Sequence, residues 1–194
     1  MIALFAILLQ IAFAKKDLIM ESQDGTFIRY EDGECVFMST AKSVKTSFTE
    51  TEVTIKTYTS ADCSGDAKEE KKKITDLGLK YMECPKYIAF MAEDGTPDCK
   101  YKETAFRTYY KEGCFKRNDK EYVKYAIENN KLTRKRFDNK DCSGTAKDSD
   151  DDKNFAGECN TCHMNAEKKT SELVICGTIS QMILAVLAVL FFLF

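Results

Sequence analysis

Apolar and polar residues alternate with a period of two through most of the chain, the pattern of antiparallel strands with one buried and one wet face. Val44, Thr46 and Phe48 alternate with polar partners. Val53, Ile55 and Thr57 then alternate with Thr54, Lys56 and Tyr58, and Val123, Tyr125 and Ile127 line one face later on. Turn chemistry separates these runs: Asp32-Gly33, Asp62-Cys63-Ser64-Gly65, Lys111-Glu112-Gly113 and Asn129-Asn130. Glycine takes positive φ there at no steric cost, and Asp or Asn side chains bond local amides. The pattern predicts strands over 26–31, 34–39, 43–49 and 53–59, then over 104–110, 114–117, 122–127 and 132–137. A shorter strand is expected at 87–91. Residues 15–25 read as a polar lead-in, 68–73 as a solvated loop or strand edge, and 148–153 as an acidic loop.

The two sets of four strands are one module written twice. Aligned at an offset of 79 residues, 26–68 and 105–147 share 13 identities in 43 positions, without a gap. A fixed period of this kind marks one structural unit used again. The fold expected is mostly β: an antiparallel meander from two tandem disulfide-closed repeats, 26–84 and 105–162, closed as a barrel or packed as a sandwich. The positions that recur best are Phe27/Phe106, Tyr30/Tyr109, Cys35/Cys114 and Asp-Cys-Ser-Gly. The polar faces have diverged, with Ile55 becoming Arg134 and Thr57 becoming Arg136.

Nine cysteines sharpen the picture. Eight are assigned to a disulfide framework: Cys35, Cys63, Cys84, Cys99, Cys114, Cys142, Cys159 and Cys162. Cys176 is placed in or beside the C-terminal tail. An even set in an exported domain reads as a framework of bridges. The repeat predicts Cys35–Cys63 and Cys114–Cys142, each spanning 28 residues. Each loop of that size is worth roughly 3 kcal/mol in the chain-entropy treatment.

The ends of the chain point to the same compartment. Residues 1–14 are apolar and finish Ala12-Phe13-Ala14 before Lys15-Lys16, as in a cleaved signal peptide. Residues 182–194 form a hydrophobic tail, expected as a C-terminal helix, behind a stalk and anchor-signal region at 164–181. A signal peptide with such a tail is the pattern of a GPI-anchored precursor, with a single membrane span as the alternative. Candidate attachment residues are Asn165, Ser171 and Cys176. The ectodomain so defined is 15–163.

Charge and chemistry exclude more than they suggest. Net charge is −2 with both signs interspersed, which gives no footprint for nucleic acid. His163 is the sole histidine, so no Ser/His/Asp arrangement can form away from it. Cys159-Asn160-Thr161-Cys162-His163 has the form of a c-type haem attachment segment, through Cys159, Cys162 and His163, or of a redox pair. Structural disulfides are the expectation there instead. The 148–152 run lacks the glycine and the closing glutamate of an EF-hand loop. No cofactor, metal site or catalytic residue is expected.

The paired Cys…Asp-Cys-Ser-Gly units, the signal peptide and the anchor-like tail resemble the small cysteine-rich, GPI-anchored surface proteins of protozoa and amoebae. The resemblance implies a non-enzymatic cell-surface protein on the extracellular face of the plasma membrane. Its partners would be the membrane, through the anchor, and an extracellular ligand or protein. It would serve as a coat, adhesion or ligand-binding ectodomain. The alternatives are a β-barrel small-ligand carrier and a haem or redox protein.

Overall fold

A computed structural model describes residues 15–39, 41–94, 106–147, 155, 158–165 and 170–177. The apolar segments 1–14 and 182–194, Cys99 and the acidic loop at 148–153 lie outside the described residues. Fourteen strands are described: β1 (Lys16–Glu21), β2 (Thr26–Tyr30), β3 (Cys35–Ser39), β4 (Lys42–Phe48), β5 (Glu52–Tyr58), β6 (Ala67–Lys73), β7 (Lys80–Glu83), β8 (Ala89–Asp94), β9 (Phe106–Tyr110), β10 (Gly113–Lys116), β11 (Tyr122–Glu128), β12 (Lys131–Phe137), β13 (Cys162–Asn165) and β14 (Thr170–Cys176). One 3₁₀ turn, Thr75–Leu77, joins β6 to β7, and the described residues hold no α-helix. None of them therefore forms a helix long and apolar enough to cross a membrane.

The strands build three open antiparallel sheets. A seven-stranded sheet runs β13-β14-β8-β9-β2-β1-β7, a four-stranded one β3-β4-β5-β6 and a three-stranded one β10-β11-β12. The mostly β, antiparallel expectation holds. The closed barrel does not: after a tight turn copy one diverts β3 to β6, and copy two β10 to β12, into a separate sheet, so no sheet returns to its own first strand.

The centre of the large sheet is the pairing of β2 with β9, with Phe27 opposite Tyr109. Period-two alternation then assigns each side chain to a face. On one face, Leu18 packs with Val53 and Ile74 beneath the four-stranded sheet. On the same face, Tyr110, Ala89 and Val174 pack with Val123, Tyr125 and Leu132 of the three-stranded sheet. On the opposite face, Ile19, Phe27, Tyr109 and Tyr87 form a third cluster. Tyr87 comes from the 84–88 connection. That connection must cross β1, β2 and β9 to carry the chain from β7 to β8. Its ring stands edge-on to Tyr109 at 4.9 Å, and Phe27 stacks on Tyr109 at the same distance. Fully burying one such side chain contributes about 1.5–3 kcal/mol.

Two segments join the fold against expectation. The supposed lead-in is β1, an interior strand, with Asp17, Leu18 and Ile19 all fully buried. The supposed stalk is in part β13 and β14; β14 pairs with β8 from Ser171 opposite Asp94 to Cys176 opposite Ala89. In each case the apolar group is short, Leu18-Ile19-Met20 between Asp17 and Glu21 or Leu173-Val174-Ile175 after Glu172, and tertiary pairing decides its fate. The folded domain thus runs past residue 163.

One close approach ties the two halves together. Gly25, in the β1–β2 turn at φ +84°, lies under the Phe115 ring of β10, and a methyl group there would stand 2.2 Å from that ring. Its carbonyl accepts the Lys111 N–H at 3.0 Å. Gly25→Ala meets both a positive φ and an occupied space, so destabilisation of about 2 kcal/mol or more is expected. A shift in the urea midpoint at unchanged m-value would show it. Burial also raises the phenol pKa of Tyr109, Tyr110 and Tyr125, and pushes that of Tyr87 up to about 12 from an ordinary 10.0. Stability held by the neutral phenols is full below pH 10 and is lost as pH climbs through the folded values. Circular dichroism against pH should show alkaline unfolding setting in above that point, and Tyr110→Phe should make it shallower.

Candidate functional site

The two modules carry matching disulfide turns. Cys35–Cys63 and Cys114–Cys142 both form, with Cα separations of 6.0 and 5.7 Å. Cys63 and Cys142 take the left-handed conformation, at φ 56° and 52°. Asp62 Oδ1 accepts the Ser64 N–H at 3.3 Å and its hydroxyl at 2.6 Å, and Asp141 Oδ1 accepts the Ser143 N–H at 3.2 Å. These serine contacts hold both carboxyls below the usual aspartate range. The Asp-Cys-Ser-Gly motif is therefore used up in making its own turn. Copy one adds a bond from the Cys63 N–H to the fully buried Ser43 hydroxyl, at 2.8 Å. Copy two has Tyr122 at that aligned position.

The remaining cysteines differ from expectation at two places. Cys176, placed in or beside the tail, bonds Cys159. Cys84, placed in the framework, is a free thiol. The reason is topological. Cys84 leaves β7 at the far edge of the large sheet, whereas Cys159 follows the bridge of Glu158 to Lys131 and lies beside the end of β14. Cys162 is also in a disulfide, and Cys99 lies outside the described residues. Both cysteines of the Cys-x-x-Cys-His segment are thus consumed, which leaves no thiol for haem thioethers or a dithiol cycle. His163 is exposed on β13, opposite Glu172. Among the described residues no group of His, Cys, Asp or Glu is placed to hold a metal ion.

A polar cluster that the sequence does not announce occupies the outer face of the large sheet. Asp17 is fully buried and takes the Arg29 Nε–H on Oδ2 at 2.7 Å. Arg29 also pairs with Glu31 at 3.2 Å, and Arg107 with Glu34 at 2.8 Å. Asp17 Oδ1 has no hydrogen-bond partner among the described residues. Burial works against the Arg29 charge, but the Asp17 contact outweighs it and the guanidinium is held more firmly protonated than usual. Burial pushes Glu34 upward, with Arg107 opposing. Three carboxylates and two guanidiniums nearly neutralise one another, so the cluster has little charge left for a substrate. Cys84 lies close enough to feel Arg29 and Asp17, but burial raises its pKa and keeps it a thiol rather than a nucleophilic thiolate.

The concave surface lies elsewhere, between the edge of the large sheet and the four-stranded sheet. One hollow of about 480 Å³ is lined by Lys15, Lys16, Asp32, Phe48, Glu50 and Tyr81. A neighbouring one of about 700 Å³ shares Lys16, Glu50 and Tyr81 and extends to Ile74, Leu79 and Lys80. Both are open, with interspersed lysines and glutamates, and Lys16 Nζ sits 5.3 Å from the centre of the Tyr81 ring. They offer a shallow contact surface rather than an enclosed small-molecule pocket. Comparison with protein-family models, curated proteins and solved structures returns no match.

Of the attachment candidates, Asn165 ends β13, Ser171 is buried within β14 and Cys176 ends β14. Alkylation without reduction checks the cysteine assignment. Unfolded chain should take up label at Cys84, and peptide mapping should return Cys35–Cys63, Cys114–Cys142 and Cys159–Cys176. In the native state Cys84 should react slowly, because it is half-buried and its pKa is raised. Label found on Cys176 would overturn the assignment.

Proposed function

We propose that this protein is a non-enzymatic cell-surface ectodomain, built from a duplicated disulfide-closed β module and held to the membrane by a GPI lipid. The observation that carries the reading is that, among the described residues, three disulfides staple both modules and the C-terminal strand. Bridges of this density persist in oxidising compartments and suit an extracellular fold. The apolar segments at 1–14 and 182–194 support export and anchoring. The matched turns of the two copies are spent on scaffold, so any ligand contacts fall on the surfaces where the copies differ. A coat or adhesion role fits such a surface. An open set of sheets argues against the barrel-type carrier.

Release decides the anchor. Treating intact cells that display the protein with a phosphatidylinositol-cleaving phospholipase should move it to the medium. Retention with the membrane pellet, with the tail still attached, would replace the lipid anchor with a peptide span.

A further inference from the structure

The end of β14 defines where a lipid anchor can be joined. Attachment at Asn165 or Ser171 would discard every residue beyond it. Cleavage after Ser171 would remove Glu172 to Cys176, five of the seven residues of β14. Those residues supply the pairings of Glu172, Leu173, Val174, Ile175 and Cys176 with β8. They also supply Val174, only 1% exposed and packed with Ala89, Tyr110 and Val123. The Cys159–Cys176 disulfide would go with them. Cleavage after Asn165 would remove all of β14. Either cut opens the core of the second module and leaves the inner edge of β8 unpaired.

Resting on the lipid-anchor reading, we propose that the glycolipid is joined to the carbonyl carbon of Cys176. The residue itself and the two that follow, Gly177 and Thr178, are small, as an attachment triplet requires. The cysteine side chain stays in its bridge to Cys159, because the reaction uses only the backbone. In the step, the terminal amine of an ethanolamine phosphate on a preformed glycolipid attacks that carbonyl. The Cys176–Gly177 peptide bond breaks, a new amide forms, and the 177–194 peptide leaves as a free amine with the displaced proton. No electrons change hands. Gly177 N–H donates to the Ile88 carbonyl at 2.7 Å. The new amide carries an N–H at the same point of the chain and can make the same bond, so β14 keeps its final contact. The domain then reaches its anchor with no peptide stalk. The end of the sheet that carries Cys176, Ala89, Tyr110 and the 22–25 turn is the end nearest the bilayer.

The full-length chain, expressed in eukaryotic cells and released by the phospholipase, is digested without reduction and its C-terminal peptide read by mass spectrometry. The expected species ends at Cys176, carries the ethanolamine-phosphate glycan and remains disulfide-linked to the Cys159 peptide. A released protein whose glycan sits at Asn165, Ser171 or any of residues 177–181 overturns the Cys176 assignment and leaves the anchor reading standing. No release, with 182–194 still joined, overturns both. As a second arm, Thr178→Lys alters only the peptide that is discarded. It should abolish the releasable surface pool, and unchanged release would exclude Cys176 as the attachment point.

Discussion

Everything in this fold hangs on the antiparallel pairing of β2 with β9. It joins the two sequence copies through equivalent strands, with Phe27 opposite Tyr109 and their rings stacked at 4.9 Å. The register has a particular property. Continued along the strands it sets Tyr30 opposite Phe106, which are the partners of Tyr109 and Phe27 at the 79-residue offset. The pairing therefore maps onto itself when the copies are exchanged. The rest of the large sheet follows, as β7-β1-β2 on one side and β9-β8-β14 on the other. A slip of one residue would turn Phe27 and Tyr109 to the wrong face and carry both half-sheets with it.

That constraint explains which parts of the sequence are readable. The four strands of each copy have strict alternation and strong turn residues, and their limits lie within one or two residues of the expected ones. The disulfides Cys35–Cys63 and Cys114–Cys142 follow from the repeat alone. Two of the strands that complete the large sheet, β1 and β14, carry no such local mark. β1 and β14 hold only short apolar groups, one between Asp17 and Glu21 and one between Glu172 and Cys176, and they become strands because an edge of β2 or β8 is waiting for them. Pairing between residues far apart in sequence is set by topology, not by local preference. The exchange of roles between Cys84 and Cys176 has the same cause, since it turns on which strand end lies beside Cys159.

The outer face of the sheet was the least legible. Asp17 and Arg29 look like surface residues in the sequence. They meet because β1 lies beside β2, with Leu18 opposite Tyr30. A buried pair of this kind repays its desolvation only with good geometry and adds little net stability. Its effect is one of selection: Asp17 can be tolerated at 0% exposure only when β1 is in this register, so a misregistered β1 leaves a buried charge unpaired.

The copies also end differently, and the difference bears on what each can touch. Copy one closes with β6, an edge strand made of lysines and glutamates apart from Ala67. Such charge blocks further strands from adding on. Its ion pairs, Lys68–Glu70 and Lys72–Glu70, are exposed and contribute little to stability. At the outer edge of β12, copy two shows two isolated bridges, Arg136 to Lys147 and Lys131 to Glu158. The second of these delivers Cys159 to Cys176. One copy thus presents a charged sheet edge to solvent, whereas the other brings Glu158 to the edge of β12 and ties Cys159 to the end of β14. Duplicated scaffolds that diverge in this way cannot offer two equal sites. A partner that grips both copies must read two different surfaces.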